Sequence, residues 1–147
     1  LRTSRGLGDV YKRQILNDAG LSLHSRKVGN FVFEDSREAT RSMFFNNAPE
    51  AVFVANDHMA FAVMDTLRYE LGLKIPDDVS VVGYDDVPAA SWPSYLLTTV
   101  QQPVNIMVRE TVEILIEKIE NPEARPQKIK VDGPLILRKS TKIHKGT

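Results

Sequence analysis

The stretch Ile75-Pro76-Asp77-Asp78-Val79-Ser80-Val81-Val82-Gly83-Tyr84-Asp85-Asp86 constrains the fold more than any other part of the chain. A proline followed by two carboxylates stops one element. The short apolar run Val79 to Val82 then has the length and composition of a buried strand, and it ends at Gly83, an aromatic and two more acids. A buried strand that delivers carboxylates at its C-terminal end is how open parallel α/β sheets build ligand sites. Acids placed there without metal-ligating neighbours suit a hydroxyl-rich or amino-bearing small molecule.

The same alternation recurs on both sides of this block. Residues 15–19 read as the end of a helix closed by Gly20. Residues 27–33 contain a strand candidate, VGNFVF, weakened in its middle by Gly29. Residues 36–45 read as a helix with Ser36 as N-cap and Ala39, Met43 and Phe44 on one face. AVFVA at 51–55 is a strongly apolar strand, and residues 57–71 form a helix stopped by Gly72. Residues 97–100 are extended. Residues 103–120 are a long helix with proline at its start and Ile106, Met107, Val108, Val112, Leu115, Ile116 and Ile119 at helical spacing. Short strands at 129–131 and 135–137 flank a turn at Asp132-Gly133-Pro134, and the polar tail from Lys139 is expected to fray. Strands alternating with helices of this length specify βαβ units and a mainly parallel sheet.

Residues 1–14 (LRTSRGLGDVYKRQ) stand apart: basic, glycine-containing and aperiodic. They resemble a peptide produced when sequencing-adapter DNA at contig ends is translated. We expect them to be foreign to the fold, with the native chain interrupted near Ile15.

Composition removes several function classes. The chain of 147 residues is long enough for about one domain, and its 19 basic and 19 acidic residues cancel. A domain that itself grips nucleic acid carries a basic excess. Without cysteine there are no disulfides, thiolate catalysis or cysteine-metal sites, which fits a reducing cytoplasm. No apolar run approaches the ~20 residues of a membrane span, and the N-terminus lacks the apolar core of a signal peptide. His24, His58 and His144 share no metal-ligand spacing, Gly6-x-Gly8 lacks the context of a dinucleotide loop, and the serines lack a nucleophile elbow. No cofactor and no enzymatic reaction is expected.

The candidate site lies where the strands end. The first candidate strand ends near Phe31, the second at Asn56-Asp57 and the third at Asp85-Asp86. In a parallel sheet these ends share one edge, so Phe31, Asn56 and Asp85 line one crevice. An aromatic face beside an amide and a carboxylate suits a sugar or nucleobase. The local alternatives are that Asn56 or Asp57 caps the following helix and that Asp85 shapes a turn. The cap is favoured for Asp57 and the site for Asn56 and Asp85. The next helix carries Met59-Ala60-Phe61-Ala62-Val63-Met64, apolar throughout, and must be covered on more than one side, by a neighbouring helix or a second subunit.

The blocks AVFVANDHMAFAVMDTLRYELGLKIPDDVSVVGYDD, LLTTVQQP and LILRKST, in this order and spacing, resemble the C-terminal part of the lactose/galactose-repressor family of bacterial transcription regulators. The resemblance covers residues 15–141. It implies a Rossmann-like, three-layer α/β/α subdomain of a type I periplasmic-binding-protein-like effector domain. Residues 15–101 and 129–141 would be the C-terminal subdomain. Residues 102–128 would be the crossover and helix that pack on an N-terminal subdomain absent from this chain. The resemblance implies a small-molecule effector, a sugar or related metabolite, held by Phe31, Asn56, Asp85 and Gln102. It also implies a homodimer interface at Phe61, Met64 and Asp86, and DNA contact through an N-terminal domain that this chain lacks. One family motif is missing: counting back from Ala19-Gly20-Leu21, the position of the ligand-binding arginine holds Gly8, and Tyr11-Lys12 replace a glycine-aromatic pair. A periplasmic sugar-binding protein of a transporter shares the implied fold, but the LILRKST ending and the Pro-Asp-Asp-Val-Ser block favour the regulator.

Overall fold

The computed structural model describes residues 7–142. Residues 1–6 of the N-terminal segment, including Gly6, and residues 143–147, including His144, lie outside the described residues. Helix α1 (Leu7–Asp18) runs back through the part of the segment read as aperiodic. It ends as its sequence requires: Gly20 adopts φ +71°, Gly20 N–H donates to Asn17 O at 2.9 Å and Leu21 N–H to Leu16 O at 2.8 Å. Two such bonds around a left-handed glycine satisfy the last carbonyls of a helix.

The strand expected at VGNFVF is absent. Asn30 and Phe31 take positive φ, 50° and 58°, and Val32 N–H closes a turn onto Gly29 O at 2.8 Å. Consecutive left-handed residues cannot continue a strand, and helix α2 (Phe33–Phe44) starts directly afterwards. Ser36 is therefore inside the helix rather than its N-cap. It is buried, and its hydroxyl donates back to Val32 O at 2.8 Å.

Strands β1 (Ala51–Phe53), β2 (Ser80–Asp85), β3 (Thr98–Gln101) and β4 (Leu135–Ile136) form a sheet in that spatial order. β1–β2 and β2–β3 are parallel, and β3–β4 is antiparallel. This is the mainly parallel α/β architecture that the alternation specified. β2 runs past Gly83 because Gly83, Tyr84 and Asp85 pair with Thr99, Val100 and Gln101. Residues 129–131 form no strand.

Helix α3 (Asp57–Asp65) continues into a π-helical turn, Thr66–Glu70, before Gly72 at φ +66°. α3 packs on α2 and β2. Its apolar run and Leu67 of the π-helical turn supply one side of the core, where Met59, Phe61, Val63, Met64 and Leu67 meet Val54, Val79, Val81, Ala90 and Leu97. Helix α4 (Val104–Glu120) is different: none of its residues is buried, and Ile106, Val108, Val112, Leu115, Ile116 and Ile119 expose their side chains.

The chain after β4 is not frayed at Lys139. Lys139 and Ser140 N–H donate to Leu96 O at 2.9 and 3.1 Å, and Val81 N–H donates to Ser140 O at 2.8 Å. The buried Ser140 hydroxyl donates to Val81 O at 2.6 Å and accepts from Thr98 N–H at 2.7 Å. This segment fastens the start of β3 to β2.

Candidate functional site

Three of the candidate residues follow adjacent strands. Asn56 stands between β1 and α3, Asp85 closes β2, and Gln102 follows β3. Because the strands are parallel and in register, these ends meet at one edge of the sheet. Gln102 Nε2 donates to Asp85 Oδ1, and Gln102 N–H donates to Asp85 O at 3.3 Å. The amide thus holds one carboxylate oxygen and leaves the other outside this bond. Asp85 and Asp86 both take positive φ, 127° and 59°. Consecutive strained non-glycine residues at a strand end are costly to hold and concentrate at functional sites.

Asn56, and not Asp57, is the N-cap of α3: its Oδ1 accepts from Met59 N–H at 2.8 Å. That bond uses the oxygen of the side chain and leaves its NH2 group outside the cap. Asp57 occupies the first helical position and is fully buried. Its Oδ1 accepts the Thr99 hydroxyl at 2.6 Å and its Oδ2 accepts Val87 N–H at 3.0 Å. Burial pushes this carboxyl above its ordinary range, and the hydrogen bonds from Thr99 and Val87 oppose that shift.

Phe31 lies on the turn before α2 and is 75% exposed, not at a strand end. Gly29 sets that turn against α3, since a Cβ there would stand 2.7 Å from Ser36 Oγ and 3.0 Å from Met59 Sδ. The turn borders a cleft lined also by Phe44, Val52, Phe53 and Val54 beside β1.

The expected subunit-contact residues fare differently. Met64 has no exposed surface, so as placed it offers nothing to a second subunit. Phe61 is 7% exposed and stacks on Tyr95 with ring centroids 4.2 Å apart. The cover that the apolar helix demanded therefore comes from within the chain. Asp86 points inward as well: its Oδ1 accepts from Arg138 at 2.7 Å and its Oδ2 from Gln101 Nε2 at 2.8 Å. Arg138 also donates to Leu97 O at 2.8 Å. Arg138 stands in the LILRKST block and its partner Asp86 in the distant GYDD block, so no local pattern marks the pair. Among the described residues no cluster of His, Asp or Glu is placed to hold a metal ion, and no helix is long and apolar enough to cross a membrane.

The sequence matches the periplasmic binding protein-like domain family over residues 4–141. The chain belongs to this family. The chain is similar to the ribose operon repressor of Escherichia coli, 33% identical over 131 residues that cover 87% of this chain and 39% of that protein. The HTH-type transcriptional repressor PurR of Photobacterium profundum is 32% identical over 128 residues, 85% of this chain and 38% of that one. Among solved structures, a complex of the transcriptional regulator CelR with cellobiose superposes with a TM-score of 0.79 at 31% identity, over 87% of this chain and 40% of that chain. The lac repressor dimer bound to operator and the anti-inducer ONPF superposes with a TM-score of 0.80 at 27% identity, over 92% of this chain and 46% of that chain. These relatives are transcription regulators, the class that the resemblance implied. The periplasmic binding protein-like chain described here spans 38–39% of the length of the two curated relatives.

Proposed function

We propose that this chain is the effector-binding and dimerisation part of a repressor-type regulator of the lactose/galactose-repressor kind, acting in the cytoplasm and without catalytic activity. The observation that carries the reading is the meeting of Asn56, Asp85 and Gln102 at the ends of adjacent parallel strands, with strained backbone at Asp85. The residue chemistry suits a sugar or related metabolite: Asp85 accepts from hydroxyls, the Asn56 amide donates, and Phe31 covers an apolar ring face. The sugar complex of the CelR relative supports the same class of effector.

In this reading residues 15–101 and 129–141 form one wall of the effector cleft. The exposed apolar side chains of α4, within residues 102–128, pack on a second subdomain elsewhere in the whole protein. Residues 1–14 are not native to the protein, although residues 7–14 are helical in α1. DNA is reached through a separate N-terminal domain. The whole protein is a homodimer, and its subunit contact runs through the surface beside Phe61, where Tyr95 stacks on it, rather than through Met64. An effector that stabilises one arrangement of two subdomains shifts the dimer toward one spacing of its DNA-binding heads.

The test is a calorimetric screen of sugars and related metabolites against a rebuilt full-length regulator. Asp85→Ala should then weaken the best ligand by about 1.5–3 kcal/mol, the range for a hydrogen bond to a charged group. Unchanged affinity would remove Asp85 from the site, and the absence of any binding metabolite would remove the effector reading.

A further inference from the structure

The Asp57 carboxylate has no solvent exposure and joins a side-chain hydroxyl to a backbone amide. It stands directly after Asn56 at the start of α3. One oxygen takes the hydroxyl of Thr99 in β3, and the other takes the amide of Val87, which follows the strained Asp85-Asp86 pair. The chain beyond Val87 is fastened in turn: Ala90 N–H donates to Val87 O and Leu97 N–H to Ala90 O, both at 2.8 Å. Between Ala90 and Leu97 lies Tyr95, stacked on Phe61.

Gly83 is a separate sign that the carboxylate belongs where it is. A glycine inside a central strand weakens it, and the φ of Gly83 lies outside the left-handed region, so conformation does not require it there. Space does: a Cβ at Gly83 would stand 2.2 Å from Asp57 Oδ1 and 2.8 Å from Leu97 Cδ2. The strand omits a side chain where the carboxylate crosses it. The negative charge of Asp85 adds to the burial that raises the Asp57 pKa.

We propose that Asp57 is a positioning residue, whose carboxylate sets the backbone from Asp85 to Val87 and so ties the orientation of Asp85 at the end of β2 to the turn Pro88–Ser91 and the Tyr95–Phe61 stack. The proposal rests on the effector reading for its meaning, but its test needs no effector. A failure here leaves that reading standing, and a failure to find an effector leaves this one standing.

The experiment is residue-resolved amide hydrogen exchange on the 147-residue chain, comparing wild type with Asp57→Ala, Asp57→Asn and Gly83→Ala. Asparagine retains both bonds, because its oxygen accepts from Val87 N–H while its NH2 donates to the Thr99 hydroxyl, which accepts as well as donates. In Asp57→Ala and Gly83→Ala, exchange at Val87 should rise by roughly tenfold relative to the sheet amides of Val54 and Val81, the effect of one lost hydrogen bond. Asp57→Asn should keep Val87 protected. Should Asp57→Ala not fold, Gly83→Ala and the nearly isosteric Thr99→Val carry the comparison. An equal rise at Val87, Val54 and Val81, as a general loss of stability produces, overturns the proposal. So does unchanged protection at Val87, or an Asp57→Asn variant as exposed there as Asp57→Ala.

Discussion

Arg138 offers the sharpest quantitative test of how the site edge is held. Its guanidinium donates to Asp86 Oδ1 at 2.7 Å and to Leu97 O at 2.8 Å, and the paired side chains are only 17% and 10% exposed. Exposed ion pairs are worth about 0–1 kcal/mol, whereas removing one partner of a buried pair costs roughly 3–5 kcal/mol because the other charge is stranded. Here Gln101 still donates to the second oxygen of Asp86, which offsets part of the loss. Arg138→Met, which keeps much of the apolar stem, should therefore cost about 2–4 kcal/mol. At the ~2–4 °C per kcal/mol of a domain near this size, about 3 kcal/mol lowers the thermal midpoint by roughly 6–12 °C. Urea unfolding of the same variants gives the free energy directly. Adding Asp86→Asn removes the stranded charge and keeps a side chain that tolerates the left-handed backbone at this position, φ 59°. The double variant should recover at least half of the loss. A cost below about 1 kcal/mol for Arg138→Met would place the pair with ordinary surface pairs. Two single costs that simply add would show that no charge had been stranded.

Other positions make separate predictions. Asn56→Ala should lose about 1 kcal/mol of stability with the cap, while Asn56→Ser keeps a capping oxygen and should lose effector affinity in a full-length regulator without that stability cost; chemical denaturation and calorimetry together separate the two roles. Hydrogen bonds from Arg41 and Arg37 hold the Glu70 carboxylate below its ordinary pKa. Its stabilisation is therefore full above the ordinary glutamate value and lost as pH falls through the lowered one, so the stability difference between wild type and Glu70→Gln should shrink toward zero across that acid window in urea titrations. The chain by itself should associate through α4, whose Ile116 and Ile119 are 50% and 78% exposed; sedimentation at high concentration should show self-association that Ile116→Lys with Ile119→Lys abolishes, and a monomeric wild type would refute it.

The parts of this fold that were legible share one property: their signals are local. Proline before α4, Gly20 and Gly72 at left-handed φ, and the apolar run of α3 each announce an element from a few neighbouring residues. VGNFVF misled for the same reason. Its β-branched and aromatic residues have strand composition, but the backbone turns through left-handed Asn30 and Phe31, and Val32 and Phe33 pass into helix α2. Lys139 and Ser140 read as a polar tail because the groups that bind them, Leu96 and Val81, lie far back in the chain.

The site divides along the same line. Asn56, Asp85 and Gln102 could be placed from strand ends and a family pattern, since a parallel sheet carries its strand termini to one edge whatever the loops do. The residues that hold them could not. Asp57 has the sequence position of a helix cap, and only the approach of Thr99 and Val87 shows a buried carboxylate joining β3 to the chain beyond β2. Gly83 carried the legible half of that fact. A glycine in an otherwise apolar central strand marks a place where something must come close, and here the close object is Asp57 Oδ1. Such a glycine says that a neighbour exists but not which one, so the positioning of the site stays hidden until the strands are paired.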